Sequence, residues 1–164
     1  MGKACTFFGH RDCPESIKPK LREVLTELIE LRLADVFYVG NQGAFDRMVR
    51  SILRELTEDY PHIRYAVVLE HLPTKREDHA DTMFPEGLES VPPRFAIDRR
   101  NRWMVEQSEY VVCYVTHDWG GAARYAELAR RQKKTVIDLA ERGQLLTRPA
   151  RASSHRGDSA PPAE

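Results

Sequence analysis

Short continuous apolar runs alternate along this chain with longer stretches of helical period. That alternation restricts the chain to βαβ units laid around a parallel sheet. The strand-like runs are Ala4 to Phe8, Val36 to Val39, Tyr65 to Leu69, Tyr110 to Val115 and Thr135 to Leu139. Between them, a helix is expected from near Ser16, with Ile17, Leu21, Val24, Leu25, Leu28 and Leu31 as its apolar stripe. A second should begin after Gly43, turn Phe45, Val49, Ile52, Leu53 and Leu56 to the sheet, and stop at Tyr60-Pro61. A third is predicted over 94–107, with Ile97, Asn101, Met104 and Ser108 on one face and Arg99, Arg100 and Arg102 around it. The fourth, over 121–132, is rich in alanine and able to pack closely. The expected fold is a single three-layer α/β domain over 1–147, with a mostly parallel sheet of about five strands.

Two segments stand outside this rhythm. Residues 72–93 are polar and proline-bearing, and a loop that long reads as a lid or flap over a site, or as an insertion. Residues 148–164 turn to Ser, Pro, Arg and Ala without period, and such a tail is expected to stay disordered. The 25 basic and 25 acidic side chains cancel, which removes any overall field that would steer nucleic acid or an anionic membrane. No apolar run approaches a membrane span, and Met1-Gly2-Lys3 leads into a strand without a signal-peptide core. The three cysteines lack metal-type spacing, and Cys5 and Cys113 fall inside apolar strands, as expected of reduced thiols in a cytoplasmic protein.

Function is written at the strand ends. The first run leads into Gly9-His10-Arg11-Asp12, the second into Gly40-Asn41-Gln42-Gly43-Ala44-Phe45-Asp46, the third into Glu70-His71, and the fourth into Thr116-His117-Asp118-Trp119-Gly120-Gly121. In an open α/β sheet, ligands sit in the crevice outside the carboxyl ends of the strands, so these clusters are expected to line one pocket. Glycines between strand and helix let backbone amides approach a phosphate, and Gly120-Gly121 and Gly40 to Gly43 both stand there. Neither matches the dinucleotide fingerprint G-x-G-x-x-G, and no G-x-x-x-x-G-K-[ST] loop exists.

Other residues add chemistry. Arg100 could fork onto phosphate or carboxylate, while Asn101 interrupts an apolar stripe and must bond to neighbouring backbone, a loop or a ligand. Asp12, Asp46, Glu70 and Asp138 are carboxylates at strand ends, suited to ribose hydroxyls or general-base work. Asp46 also suits the dipole at the start of its helix. His10 and His117 follow strands that could be neighbours, but no metal motif accompanies them and no metal is expected. Cys13 reads as a bystander thiol. Trp119 could stack on a base or cover the core.

Phe8-Gly9-His10-Arg11, Gly40-Asn41-Gln42-Gly43-Ala44-Phe45-Asp46, Arg100-Asn101-Arg102-Trp103-Met104-Val105 and Gly120-Gly121-Ala122 resemble, in that order, the YpsA-like branch of the SLOG superfamily. The resemblance covers about Ala4 to Leu139. It implies a Rossmann-like fold shared with the lonely-guy phosphoribohydrolases, the DprA/Smf proteins and nucleotide-sensing domains of bacterial conflict systems. It also implies a small-molecule partner, namely a nucleotide, ADP-ribose or an NAD-type derivative, with no membrane involved. On this reading Gly120, Gly121 and the amides of Gly40, Asn41, Gln42 and Gly43 cradle phosphate, and Arg100 neutralises it. Asp46 or Glu70 holds ribose, and Gly9, His10 and Arg11 close the pocket. The first alternative is a nucleotide N-glycosidase with Glu70 or Asp46 as the catalytic carboxylate. The lonely-guy motif P-G-G-x-G-T-x-x-E argues against it, because Trp119-Gly120-Gly121-Ala122-Ala123-Arg124 keeps only its first two glycines. The second alternative is single-stranded DNA binding of the DprA kind, disfavoured by zero net charge and the lack of a basic groove with interleaved aromatics. Whether the chain forms homo-oligomers is left open.

Overall fold

The computed structural model describes residues 2–71 and 81–141. Residues 72–80 of the 72–93 loop and the whole 148–164 tail therefore lie outside the described residues.

Six strands form one sheet: β1 (Ala4–Gly9), β2 (Val36–Val39), β3 (Arg64–Val68), β4 (Thr82–Met83), β5 (Tyr110–Tyr114) and β6 (Thr135–Asp138). Their order is β4-β3-β2-β1-β5-β6, and every neighbouring pair is parallel. Among the described residues the sheet thus has one strand more than the sequence pattern predicts and no antiparallel pair. The extra strand, β4, is two residues long and pairs Thr82 and Met83 with Val67 and Val68. It carries no apolar run of its own, which is why periodicity does not reveal it.

Four helices cover the two faces: α1 (Lys18–Glu30), α2 (Gly43–Asp59), α3 (Pro93–Gln107) and α4 (Gly121–Arg131). One core lies under α1 and α2, where Leu21, Val24, Leu25, Leu28, Phe45, Val49, Ile52 and Leu53 meet Phe7, Phe37 and Val39. The opposite core lies under α3 and α4, with Met104, Val105, Tyr125, Ala126 and Ala129 against Phe8, Val68, Val111 and Cys113. Together they make a three-layer, Rossmann-like α/β domain.

Burial on both faces explains why the central strand β1 is apolar but for Thr6, whose hydroxyl donates to the Tyr38 carbonyl at 2.8 Å. The alanines of α4 let that helix approach closely, so that Tyr125 stacks on Phe8 with ring centroids 5.3 Å apart. Gly9 ends β1 because nothing larger fits: a Cβ there would lie 2.2 Å from Cγ of the fully buried Phe45.

Two expectations about helix faces are corrected. Leu31, 47 % exposed, lies past the last turn of α1, and Ile29 takes the buried position instead. Ile97 is 42 % exposed, and the buried side of α3 runs through Ala96, Arg100, Asn101, Met104 and Val105. An arginine therefore occupies the place that periodicity gives to an isoleucine. Both α1 and α4 end without glycine. Arg32 (φ 59°) and Lys133 (φ 65°) adopt the left-handed conformation, and Leu33 N–H and Lys134 N–H bond back to the Leu28 and Ala129 carbonyls.

Candidate functional site

The strand order fixes where a ligand can enter. All strands run the same way, but the order in which the chain lays them down reverses between β1 and β5, with α1 and α2 on one face and α3 and α4 on the other. The loops that leave these two adjacent strands therefore diverge and open a crevice at their carboxyl ends. A cleft of about 1060 Å³ occupies that position, walled by the β1–α1 loop, the β5–α4 loop and the facing sides of α3 and α4.

A column of three rings borders the cleft. His10 stacks on His117 with centroids 3.8 Å apart and planes 14° apart, and His117 stacks on Trp119 at 3.7 Å and 16°. His10 is buried, and its Nε2 accepts the Thr116 N–H at 3.0 Å. That bond requires an unprotonated Nε2. Burial, followed by the neighbouring His117, lowers the pKa of His10 below 6.5 and keeps the ring neutral. His117 Nδ1 meets the Trp119 carbonyl at 2.9 Å. Trp119 at the end of the column is 68 % exposed, so it does not cover the core.

Beside this column begins α4. Gly120 has φ 95° and ψ 173°, a conformation essentially reserved for glycine. It lets the chain turn into the helix without a side-chain cap. No acidic residue lies in the first turn, so the amides and positive dipole end at Gly121 and Ala122 face the cleft uncompensated. Arg11, Arg124 and Arg131 add positive charge along the lining, while Asp12, Asp98, Asp118 and Glu127 oppose it.

The floor is a charged network. Arg100 is only 3 % exposed. Its Nη1 donates to Asn41 Oδ1 (3.0 Å), the Val68 carbonyl (3.2 Å) and Glu70 Oε1 (3.3 Å), and its Nε donates to Asn101 Oδ1 (3.0 Å). Burial lowers the pKa of Arg100, and Glu70 and Asp46 oppose that shift. Asp46 accepts the Gln42 N–H at 3.0 Å, yet burial of its charge outweighs this bond and the nearby arginines, raising its pKa to about 6. Gly40 makes the assembly possible, since a Cβ there would lie 2.8 Å from Asp46 Oδ2 and 3.4 Å from Arg100 Nη2. A second cluster ties the helices together: Asp98 of α3 accepts from the Tyr125 hydroxyl and from Arg102 Nε (3.0 Å) and pairs with Arg124 (3.4 Å). Burial and this carboxylate push the Tyr125 hydroxyl up to about 12.

Of the residues nominated from sequence, Gly9, His10, Arg11, Asp46, Arg100, Asn101, Trp119, Gly120 and Gly121 line the cleft. Gly40, Asn41, Gly43 and Glu70 are not among the lining residues, and Glu70 is engaged with Arg100. Gly43, with φ 84°, lies against Arg11, whose Nη2 donates to Gln42 Oε1 at 2.6 Å. Asp138 caps the far side by accepting the Val115 and Ala140 amides. Cys13 is buried, and its thiol is pushed up to about 11, away from nucleophilic use. Sequence reasoning missed the role of His117 as the middle ring and the whole Asp98–Tyr125–Arg124 cluster. The only advance signal for either was that their residues stand next to glycine or arginine motifs. Among the described residues, no group of three or more His, Cys, Asp and Glu side chains gathers as a metal site would, and no helix is long and apolar enough to cross a membrane.

Comparison with solved structures bears on this architecture. The fold resembles that of DNA processing protein A. The Streptococcus pneumoniae DNA processing protein A superposes with a TM-score of 0.63 at 16 % identity, over 99 % of this chain and 58 % of that one. The Helicobacter pylori DNA processing protein A, described for its single-stranded DNA binding mode, gives a TM-score of 0.54 at 15 % identity, over 98 % of this chain and 75 % of that one. At these identities the likeness is one of α/β fold. The chain spans a little over half the length of the first of these proteins. No protein-family model matches the sequence, and no curated protein matches it.

Proposed function

We propose that the cleft binds a nucleotide-derived ligand, in the manner of the YpsA-like branch of the SLOG superfamily. The observation that carries this reading is the bare N-terminus of α4. Its uncapped amides follow a left-handed Gly120 and face the crevice between β1 and β5. Such a terminus favours an anion by charge and by hydrogen-bond direction. Asp46, set back on the floor, suits ribose hydroxyls. Arg100 keeps the floor from becoming doubly negative, which would repel the ligand.

The test is thermal unfolding of the full chain with AMP, ADP, ATP, NAD and ADP-ribose, each sample then chromatographed. A ligand at 100 times its Kd adds about 2.7 kcal/mol, a readily measured rise in Tm. No shift with any of the five refutes the reading. Chromatography tests base cleavage in the same tubes, for which Asp46, its pKa raised to about 6, is the candidate among the carboxylates of the cleft lining. Free base would move the protein among the hydrolases.

A second reading, single-stranded DNA binding, is favoured by the likeness to the DNA processing proteins and by the exposed Trp119 ring. The mixed charges of the cleft lining oppose it. Fluorescence polarisation of a labelled oligothymidylate separates the two, because strand binding weakens steeply with salt.

A further inference from the structure

We infer that Trp119 is a base-stacking platform and that the ligand of the cleft carries a purine, which extends the ring column as its fourth member. The inference rests on the nucleotide reading above and adds the class of base and the residue that selects it.

Three observations lead there. The first is the column itself: His10, His117 and Trp119 are near-parallel, with centroid spacings of 3.8 and 3.7 Å. One face of the indole is thus covered by an imidazole. The second is that Trp119 nevertheless remains 68 % exposed and belongs to the cleft wall. Its uncovered face is therefore a bare aromatic surface, costly to leave in water and ready to receive another flat ring. The third is position. Trp119 immediately precedes Gly120, so a ring on the indole and an anion at the Gly121 and Ala122 amides would be held by residues two to three apart in the chain. Base and phosphate of one nucleotide are linked through a single sugar and match that juxtaposition.

The column is also braced for this use. Its inner member, His10, is pinned by the Thr116 amide and held neutral. The stack is therefore not split by charge repulsion between adjacent imidazoliums near neutral pH. Fused rings overlap an indole more fully than a single ring does, so the column selects purine over pyrimidine.

The probes are AMP, CMP and ribose 5-phosphate, titrated into the full-length protein and into Trp119→Ala and Trp119→Phe, with binding read by calorimetry. Quenching of tryptophan emission, compared between the wild type and Trp119→Phe, separates Trp119 from Trp103. AMP should bind roughly tenfold or more tightly than ribose 5-phosphate, and CMP should fall between them. Trp119→Ala should weaken AMP roughly tenfold and leave ribose 5-phosphate unchanged, while Trp119→Phe keeps most of the affinity. Equal affinity for AMP and ribose 5-phosphate, unaltered by Trp119→Ala, overturns the platform and leaves the nucleotide reading standing. AMP and CMP binding alike overturns the purine preference. Failure of all three probes to bind overturns this inference and, with the wider panel also silent, the nucleotide reading itself.

Discussion

Asp46 makes the domain less stable than it could be, and replacing it should show this. Its carboxyl has a pKa of about 6 against an ordinary 3.8, chiefly because its charge is buried. Since the folded state holds the proton more tightly than the unfolded state, stability is fullest below the unfolded pKa. It declines as pH rises through the folded one. The difference corresponds to about 3 kcal/mol lost by neutral pH, roughly 2 kcal/mol of it between pH 4.5 and 7.5. Asp46→Asn keeps an oxygen for the Gln42 amide but carries no charge. Measured by urea unfolding, the variant should therefore outlast the wild type at pH 7.5, and its advantage should shrink by about 2 kcal/mol at pH 4.5. If Asp46→Asn is less stable than wild type at pH 7.5, or the gap ignores pH, Arg100 compensates the carboxylate fully and the burial argument is wrong. A stabilising variant that lost nucleotide binding would identify a residue retained for function at the expense of stability.

Two further outcomes follow from the same geometry. Arg100→Met removes the one guanidinium shared by Glu70 and Asp46 and should cost about 3–5 kcal/mol in urea unfolding at pH 8, and less at pH 5, where Asp46 takes up a proton. The His10 ring should titrate by NMR with a midpoint below 6.5, and its contribution to stability, present above that pH, should fade on acidification as the Thr116 bond is lost.

Much of the fold is legible in the sequence because it rests on local period. Strands buried on both faces read as continuous apolar runs, and α2 shows its stripe from Phe45 to Leu56 almost residue for residue. The crevice is legible too, since polar clusters after strands can only gather at one end of a parallel sheet. What stayed hidden depends on distance. Thr116 and His10 lie 106 residues apart, and no local pattern announces that the loops after β1 and β5 bring their rings into register. The arginine cluster of α3 looks like a solvated face, and the burial of Arg100 is understood only once the ends of β2 and β3 supply Asn41, the Val68 carbonyl and Glu70. Gly40 is recognisable as a place of close approach, but the groups that approach it, Asp46 and Arg100, come from two different helices.

The two loops that flank the crevice are held very differently. On the β1 side, Arg11 is tied to the start of α2 twice, through its side chain on Gln42 and through its carbonyl on the Ala44 amide, and Gly43 packs against its backbone. The loops after β1 and β2 should therefore move as one body. On the β5 side, the described interactions that tie residues 116–119 to another loop are a single amide bond to His10 and the ring column. One jaw is an anvil and the other a sprung plate. Whatever enters must fit the first as it stands, and adjustment to ligands of different size falls to the second.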